Sequence, residues 1–262
     1  MLMFPHAATA VPFQQTLQPT TDLRPAERPS LDKLGREAQT DKATHHSYTM
    51  LYENHIREWR DEPINLMEIG VLGEASLQMW DNYFSRASVF GVDITPHNDS
   101  SRILQADQSK LDDLRRLRDY RPWTIINDDG SHVPSHQLLT FTTLFPSLAP
   151  GGVYILEDLE TNYWKPGSTI YGYTLESEPN MHALFKKSLF ASIDFEFASA
   201  CGVPSGEELG QVFGHGVDEQ IAEISFIRNA IIVRKKPSGY IEHPSYRFAR
   251  GTGPDACLVN PG

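Results

Sequence analysis

The sequence predicts an α/β fold, a doubly wound and mostly parallel sheet ending in an antiparallel hairpin, on three observations. Short apolar runs bounded by Gly or Pro alternate with stretches of helical periodicity, the pattern of strand-helix-strand units. Two of these runs, 123–127 and 152–156, each lead into a pair of acids, Asp128-Asp129 and Glu157-Asp158. Two more, 222–228 and 229–235, are joined only by a tight turn at Arg228-Asn229, which makes a hairpin that closes one side of the sheet.

Taken in order, residues 1–30 carry prolines at 5, 12, 19, 25 and 29 and have little to bury, so a disordered arm or one swapped onto a neighbouring subunit is expected. A homo-oligomer is expected with it. Ser30 is placed to cap a helix through Leu31 and Leu34, and Tyr48, Leu51, Tyr52, His55, Ile56 and Trp59 follow at helical spacing. Two short helices thus form an N-terminal cap over 31–62. Between them, 40–48 reads as too polar for a buried element and as a lid on the cofactor, with Thr44 and Tyr48 as contacts; His45 and His46, being adjacent, point apart and do not make a metal site alone.

The first strand, 65–71, ends in the turn Glu68-Ile69-Gly70-Val71-Leu72-Gly73 ahead of a helix over 75–84, where glycine lets backbone approach a ligand at a helix N-terminus. A second strand, 88–94, ends in Asp93, about twenty residues beyond the glycine turn, the place of an acid that accepts from both ribose hydroxyls. A third, 102–106, ends at Asp107-Gln108, with Asp107 placed to meet an adenine amino group, and a charged helix follows over 111–120. The strand at 123–127, a helix from Pro134 to Leu148 and the strand at 152–156 form the next unit. Beyond it, 159–221 reads as substrate-side insertions: an aromatic loop with Tyr163 and Trp164, a helix over 181–190 and a glycine-rich stretch over 205–216. Seven strands result, a Rossmann-like sheet preceded by helices, within one domain over 31–236, and an irregular tail over 237–262.

At 262 residues the chain fits one such domain. Lys plus Arg number 23 against 34 Asp plus Glu, a net charge of −11, which argues against a nucleic-acid groove and for small-molecule partners. Cys201 and Cys257 suggest neither a zinc site nor a disulfide framework, so a reducing cytoplasm is expected. No apolar run approaches the length of a membrane helix, and Met1 to Pro12 lacks the positive start of a secretory signal.

A strand-helix-strand unit is nearly always a right-handed crossover between parallel strands, so both acidic ends emerge on one edge of the sheet, where ligands bind. Carboxylates gathered there repel one another unless a cation sits between them, and hard oxygens suit Mg²⁺, Mn²⁺ or Ca²⁺. The alternative is that strand-end acids are merely solvated. The nucleoside site would be lined by Glu68, Asp93, Asp107 and Asp128, with no Lys or Arg in the glycine turn to offset them. Such a lining repels a pyrophosphate and suits the sulfonium and ammonium of S-adenosylmethionine. His132 stands three residues beyond Asp129 as candidate base, with His136 to orient it or meet substrate; otherwise His132 caps the helix or binds a backbone carbonyl, and His182 or His215 takes the role.

The stretches Asp41-Lys42-Ala43-Thr44-His45-His46, Met67 to Gly73, Asp107-Gln108-Ser109, Asp128-Asp129-Gly130-Ser131-His132 and Leu156-Glu157-Asp158-Leu159, in this order, resemble the class I S-adenosylmethionine-dependent methyltransferases of the macrocin and mycinamicin sugar O-methyltransferase type, some of which carry a cephalosporin hydroxylase label. The resemblance spans roughly 35–165, with an echo in the hairpin. It implies Mg²⁺ on Asp129, Glu157 and Asp158 and cofactor contacts from Glu68, Gly70, Asp93, Asp107 and Asp128; Gln108 is expected at the cofactor too, and Asp129 and His132 as the catalytic residues. The expected activity is Mg²⁺-dependent methyl transfer to a hydroxyl of a sugar or polyketide-like natural product in antibiotic biosynthesis. A metal-dependent hydrolase using Asp129, Glu157, Asp158 and His132 is the alternative; a dinucleotide module lacks the third glycine of its fingerprint.

Overall fold

The structure is a computed structural model and describes residues 28–97, 100–165, 170–189, 212–214 and 216–240. The arm before 28, Cys201, Cys257, His215, the glycine-rich stretch up to 211 and the tail beyond 240 lie outside the described residues.

A seven-stranded sheet runs in the order β3-β2-β1-β4-β5-β7-β6. Its strands are β1 (Asn65–Ile69), β2 (Ser88–Asp93), β3 (Ile103–Gln105), β4 (Trp123–Asp128), β5 (Leu148–Leu156), β6 (Ile221–Ile227) and β7 (Ala230–Lys235). β1 to β5 pair in parallel, while β7 runs antiparallel to both β5 and β6. The hairpin turns at Arg228-Asn229, as expected from the sequence, and β5 begins four residues earlier than the apolar run at 152–156.

Side chains alternate across each strand, so two cores form. Met67, Ile126, Tyr154, Ile231 and Val233 face Leu114 and Leu117 of α5 (Leu111–Tyr120), Phe141 and Leu144 of α6 (Pro134–Leu144), and Met181 and Phe185 of the helical stretch 181–189. Leu66, Ile125, Val153, Ile155 and Ile232 face Leu31 and Leu34 of α1 (Leu31–Ala38), Tyr52 and Ile56 of α3 (Thr49–Ile56), and Leu77 and Trp80 of α4 (Ala75–Tyr83). Ser30 caps α1, its hydroxyl accepting from the Lys33 amide at 3.2 Å.

The N-terminal cap differs from expectation. A third helix, α2 (Asp41–Thr44), lies in the stretch that reads as too polar to bury, yet Thr40, Lys42, Ala43 and Tyr48 are all buried. The reason is electrostatic: the Lys42 charge is met by carboxylates from strands far away in sequence, which composition in a local window does not register.

Candidate active site

Register gathers the site. Ile69 pairs with Val92 on one side and Asp128 on the other, and Asp128 pairs with Leu156. The next row therefore holds Gly70, Asp93, Asp129 and Glu157 at the C-terminal edge of four adjacent parallel strands. Gly70 takes φ +86°, and a Cβ there would lie 2.1 Å from the Asp129 carbonyl oxygen, so only glycine lets β1 and β4 leave the sheet side by side.

Above this edge opens a cavity of about 720 Å³. Its wall includes Gly70 and Gly73 of the turn, Asp93, Asp107 and Gln108 at the ends of β2 and β3, and Asp129, His132, His136 and Asp158 at the other end. Thr40 and Asp41 of the cap also line it. Five aspartates, 41, 93, 107, 129 and 158, reach the wall, and among the described residues no Lys or Arg does. The Asp107 carboxylate accepts from the hydroxyl and amide of Ser109, which hold it below the usual carboxylate range. Asp93 accepts from the amides of Thr95 and Val71 at 2.8 and 3.3 Å.

Four of the residues expected at the cofactor, Glu68, Asp128, Thr44 and Tyr48, do not line this cavity. Glu68 is fully buried behind the turn, where the Trp80 indole donates to it at 2.6 Å and Lys42 lies at 3.2 Å. Asp128 is fully buried too; Tyr154 and Gln108 donate to it at 2.9 and 2.5 Å, and burial pushes its carboxyl up to about 6 despite both bonds. Gln108 uses its other end on the Ser131 amide at 2.8 Å, so it ties β4 to the wall. Thr44 is exposed and donates to the Thr40 carbonyl, and Tyr48 is buried with its hydroxyl on Asp158 at 2.8 Å. Strand alternation explains the first two, because a side chain within β1 or β4 faces a core, whereas the residue leaving the strand faces the cavity. The acid-lined character survives with a different membership.

The acids at the ends of β4 and β5 form two linked clusters. Inside, the Lys42 ammonium meets Asp129 Oδ2 at 2.5 Å, Glu157 Oε2 at 3.0 Å and Glu68 Oε1 at 3.2 Å. Burial opposes the lysine charge, but the three carboxylates hold its pKa well above the ordinary value. One cation does not compensate three anions, and burial leaves Glu68, Asp129 and Glu157 all raised. Outside, Asp129, His132 and Asp158 bring ligand atoms within 4.8 Å of one another. His132 Nε2 lies 3.9 Å from Asp158 Oδ2, and its buried Nδ1 has no hydrogen-bond partner. Both residues have left-handed backbone, φ +54° and +55°, a strain of the kind that accumulates at functional sites.

His136 does not orient His132. α6 starts at Pro134, so the two rings do not share a helical face, and His136 Nδ1 instead faces Ser131 Oγ at 3.0 Å. His182 stacks between Tyr163 and Phe226, away from the cavity. Tyr163 and Trp164 are exposed and, with Glu160, line a separate surface pocket. The expectation missed Lys42, Thr40, Asp41 and His46, whose Nδ1 is 3.9 Å from Asp158. All four belong to or adjoin the Asp41-to-His46 stretch, which was their only signal.

A crevice of this size at the reversal point of a doubly wound sheet, with the hairpin as its last two strands, defines the Rossmann-like fold of the methyltransferases. No family model matches the sequence. The chain is 35% identical over 224 residues to the 8-demethyl-8-alpha-L-rhamnosyl tetracenomycin-C 2'-O-methyltransferase of Streptomyces olivaceus, covering 79% of this chain and 55% of that one. It is 38% identical over 155 residues to the mycinamicin VI 2''-O-methyltransferase of Micromonospora griseorubida, covering 54% and 39%. The solved structure of MycE methyltransferase from the mycinamycin biosynthetic pathway, in complex with Mg, SAH and mycinamycin VI, superposes with a TM-score of 0.63 at 32% identity, over 82% of this chain and 57% of that one. The chain is thus a relative of sugar O-methyltransferases from antibiotic pathways, as the sequence motifs imply, and spans about half the length of those it matches.

Proposed function

We propose that this chain carries the catalytic site of an O-methyltransferase, acting on a hydroxyl of a small natural product, a sugar or polyketide-like scaffold, in antibiotic biosynthesis. The observation that supports this best is one acid-lined cavity that runs from the glycine turn, Asp93 and Asp107 to Asp129, His132 and Asp158. Its size suits a nucleoside cofactor, and its sign suits a cationic one. S-adenosylmethionine would supply the methyl group, and a divalent cation, Mg²⁺ by the relatives' example, would acidify the acceptor hydroxyl.

The residues fit such a cation. One Lys42 ammonium serves three carboxylates there, and Glu157 Oε1 is buried and not taken up by Lys42. Asp129, Glu157 and Asp158 are the proposed ligands because Mg²⁺ prefers oxygen. That preference leaves His132 as the proton acceptor, held at the cavity beside Asp158. Tyr48 and Asn229 grip Asp158 Oδ1 at 2.8 and 3.4 Å and orient it. Tyr171, T-shaped against His132 at 5.5 Å, is the aromatic side chain proposed to meet the acceptor.

The test is a calorimetric titration of the Asp158→Ala variant. Turnover should be lost while S-adenosylhomocysteine binding stays within a few-fold, since Asp93 and Asp107 lie on other strand ends. Loss of cofactor binding in that variant would sink the two-part arrangement.

A further inference from the structure

Lys42 takes no part in the proposed transfer, yet it lies behind the cavity wall among the strand-end carboxylates. It enters from α2, outside the sheet, and its side chain is 1% exposed. It spends its charge on Asp129 Oδ2, Glu157 Oε2 and Glu68 Oε1, from the ends of β4, β5 and β1. Burying a lysine this deeply is costly, and a Met or Leu would fill the same space without that cost. A purely structural bridge also needs only one partner. Here two of the three partners are residues proposed above to hold the divalent cation.

We propose that Lys42 is a positioning residue of the transfer site: its ammonium takes one oxygen each from Asp129 and Glu157 and is a permanent counter-charge that limits how tightly the strand ends hold an exchangeable divalent cation. Two observations and one electrostatic principle converge on it. Each carboxylate gives Lys42 a single oxygen, which leaves Glu157 Oε1 buried and free of the ammonium. Fixed positive charge a few ångströms from a dication weakens its binding steeply in a buried setting. Lys42 also sits beside Thr40 and Asp41 of the cavity wall, so the same short helix links the cofactor side to the carboxylates.

The inference rests on the cation reading, and the experiment separates the two. Mn²⁺ is titrated calorimetrically into metal-free wild type, Lys42→Met, Lys42→Arg and Asp158→Ala, with S-adenosylhomocysteine titrated in parallel. Lys42→Met should bind Mn²⁺ about tenfold or more tightly than wild type, with cofactor affinity within a few-fold. Lys42→Arg, which keeps the charge, should stay near wild type. A scaffold role would instead weaken metal and cofactor together, so Mn²⁺ affinity unchanged or reduced in Lys42→Met overturns the proposal. Should Lys42→Met not fold without metal, Mn²⁺ in the refolding buffer must restore it, and failure to do so also overturns it. Wild type taking up no Mn²⁺ would overturn the cation site itself, and this inference with it.

Discussion

Asp128 and His132 show how much single positions carry. The Asp128 carboxyl is pushed up to about 6 by burial, whereas an unfolded chain titrates it near 4. Between those values the folded protein binds the proton more tightly. The stabilising contribution is therefore present below about pH 4 and lost as pH rises through about 6, on the order of 3 kcal/mol in all. Asp128→Asn lacks this titration, so urea unfolding at pH 4 to 8 should show the variant gaining on wild type across that window and constant outside it. At His132, φ +54° calls for a residue that tolerates left-handed backbone, so Asn is the fitting substitution. His132→Asn should lower kcat by about 10²- to 10⁴-fold and raise the pH optimum, with cofactor affinity nearly unchanged. Wild-type kcat from pH 6 to 9 would place the base on another residue.

Elements meet the site through a few ties. Arg234 of β7 donates to Glu58 at 2.6 Å and to the His55 carbonyl at 2.8 Å, and its guanidinium lies 5.2 Å from the Trp59 ring centroid. It therefore pins the C-terminal hairpin to the end of α3, and Arg234→Met should cost about 1 to 2 kcal/mol in chemical denaturation. The turn after β1 is the stiffer joint. Gly70→Ala meets both a positive φ and a 2.1 Å contact with the Asp129 carbonyl, so β1 and β4 must separate. A lowered Tm and weakened S-adenosylhomocysteine binding are expected together; a variant with unchanged calorimetric Kd would show that the turn does not shape the cavity.

For the whole molecule, the acid-lined cavity predicts selectivity by charge. S-adenosylhomocysteine at a hundred times its Kd should stabilise the fold by about 2.7 kcal/mol, read as a rise in Tm, while NAD and ATP should leave Tm in place because five aspartates face their phosphates. A comparable rise with NAD would redirect the reading to a dinucleotide. No described helix is long and apolar enough to cross a membrane.

Local pattern by itself determined the strands, the helices other than α2, the hairpin and the two acidic strand ends, because period and turn chemistry are written within a few neighbouring residues. The Asp41-to-His46, glycine-turn and Asp-Asp-Gly-Ser-His stretches pointed to the same relatives that the comparisons found. Which member of the first acidic pair faces the cavity was decided by the pleat: Asp128 turns into a core and Asp129 out of it, a difference of one residue that spacing does not resolve. The removal of Glu68 from the wall required Trp80, and the burial of Lys42 required partners 26, 87 and 115 positions away. Charges compensated across such distances leave no local signature, since the compensation exists only once three strands and the cap have come together.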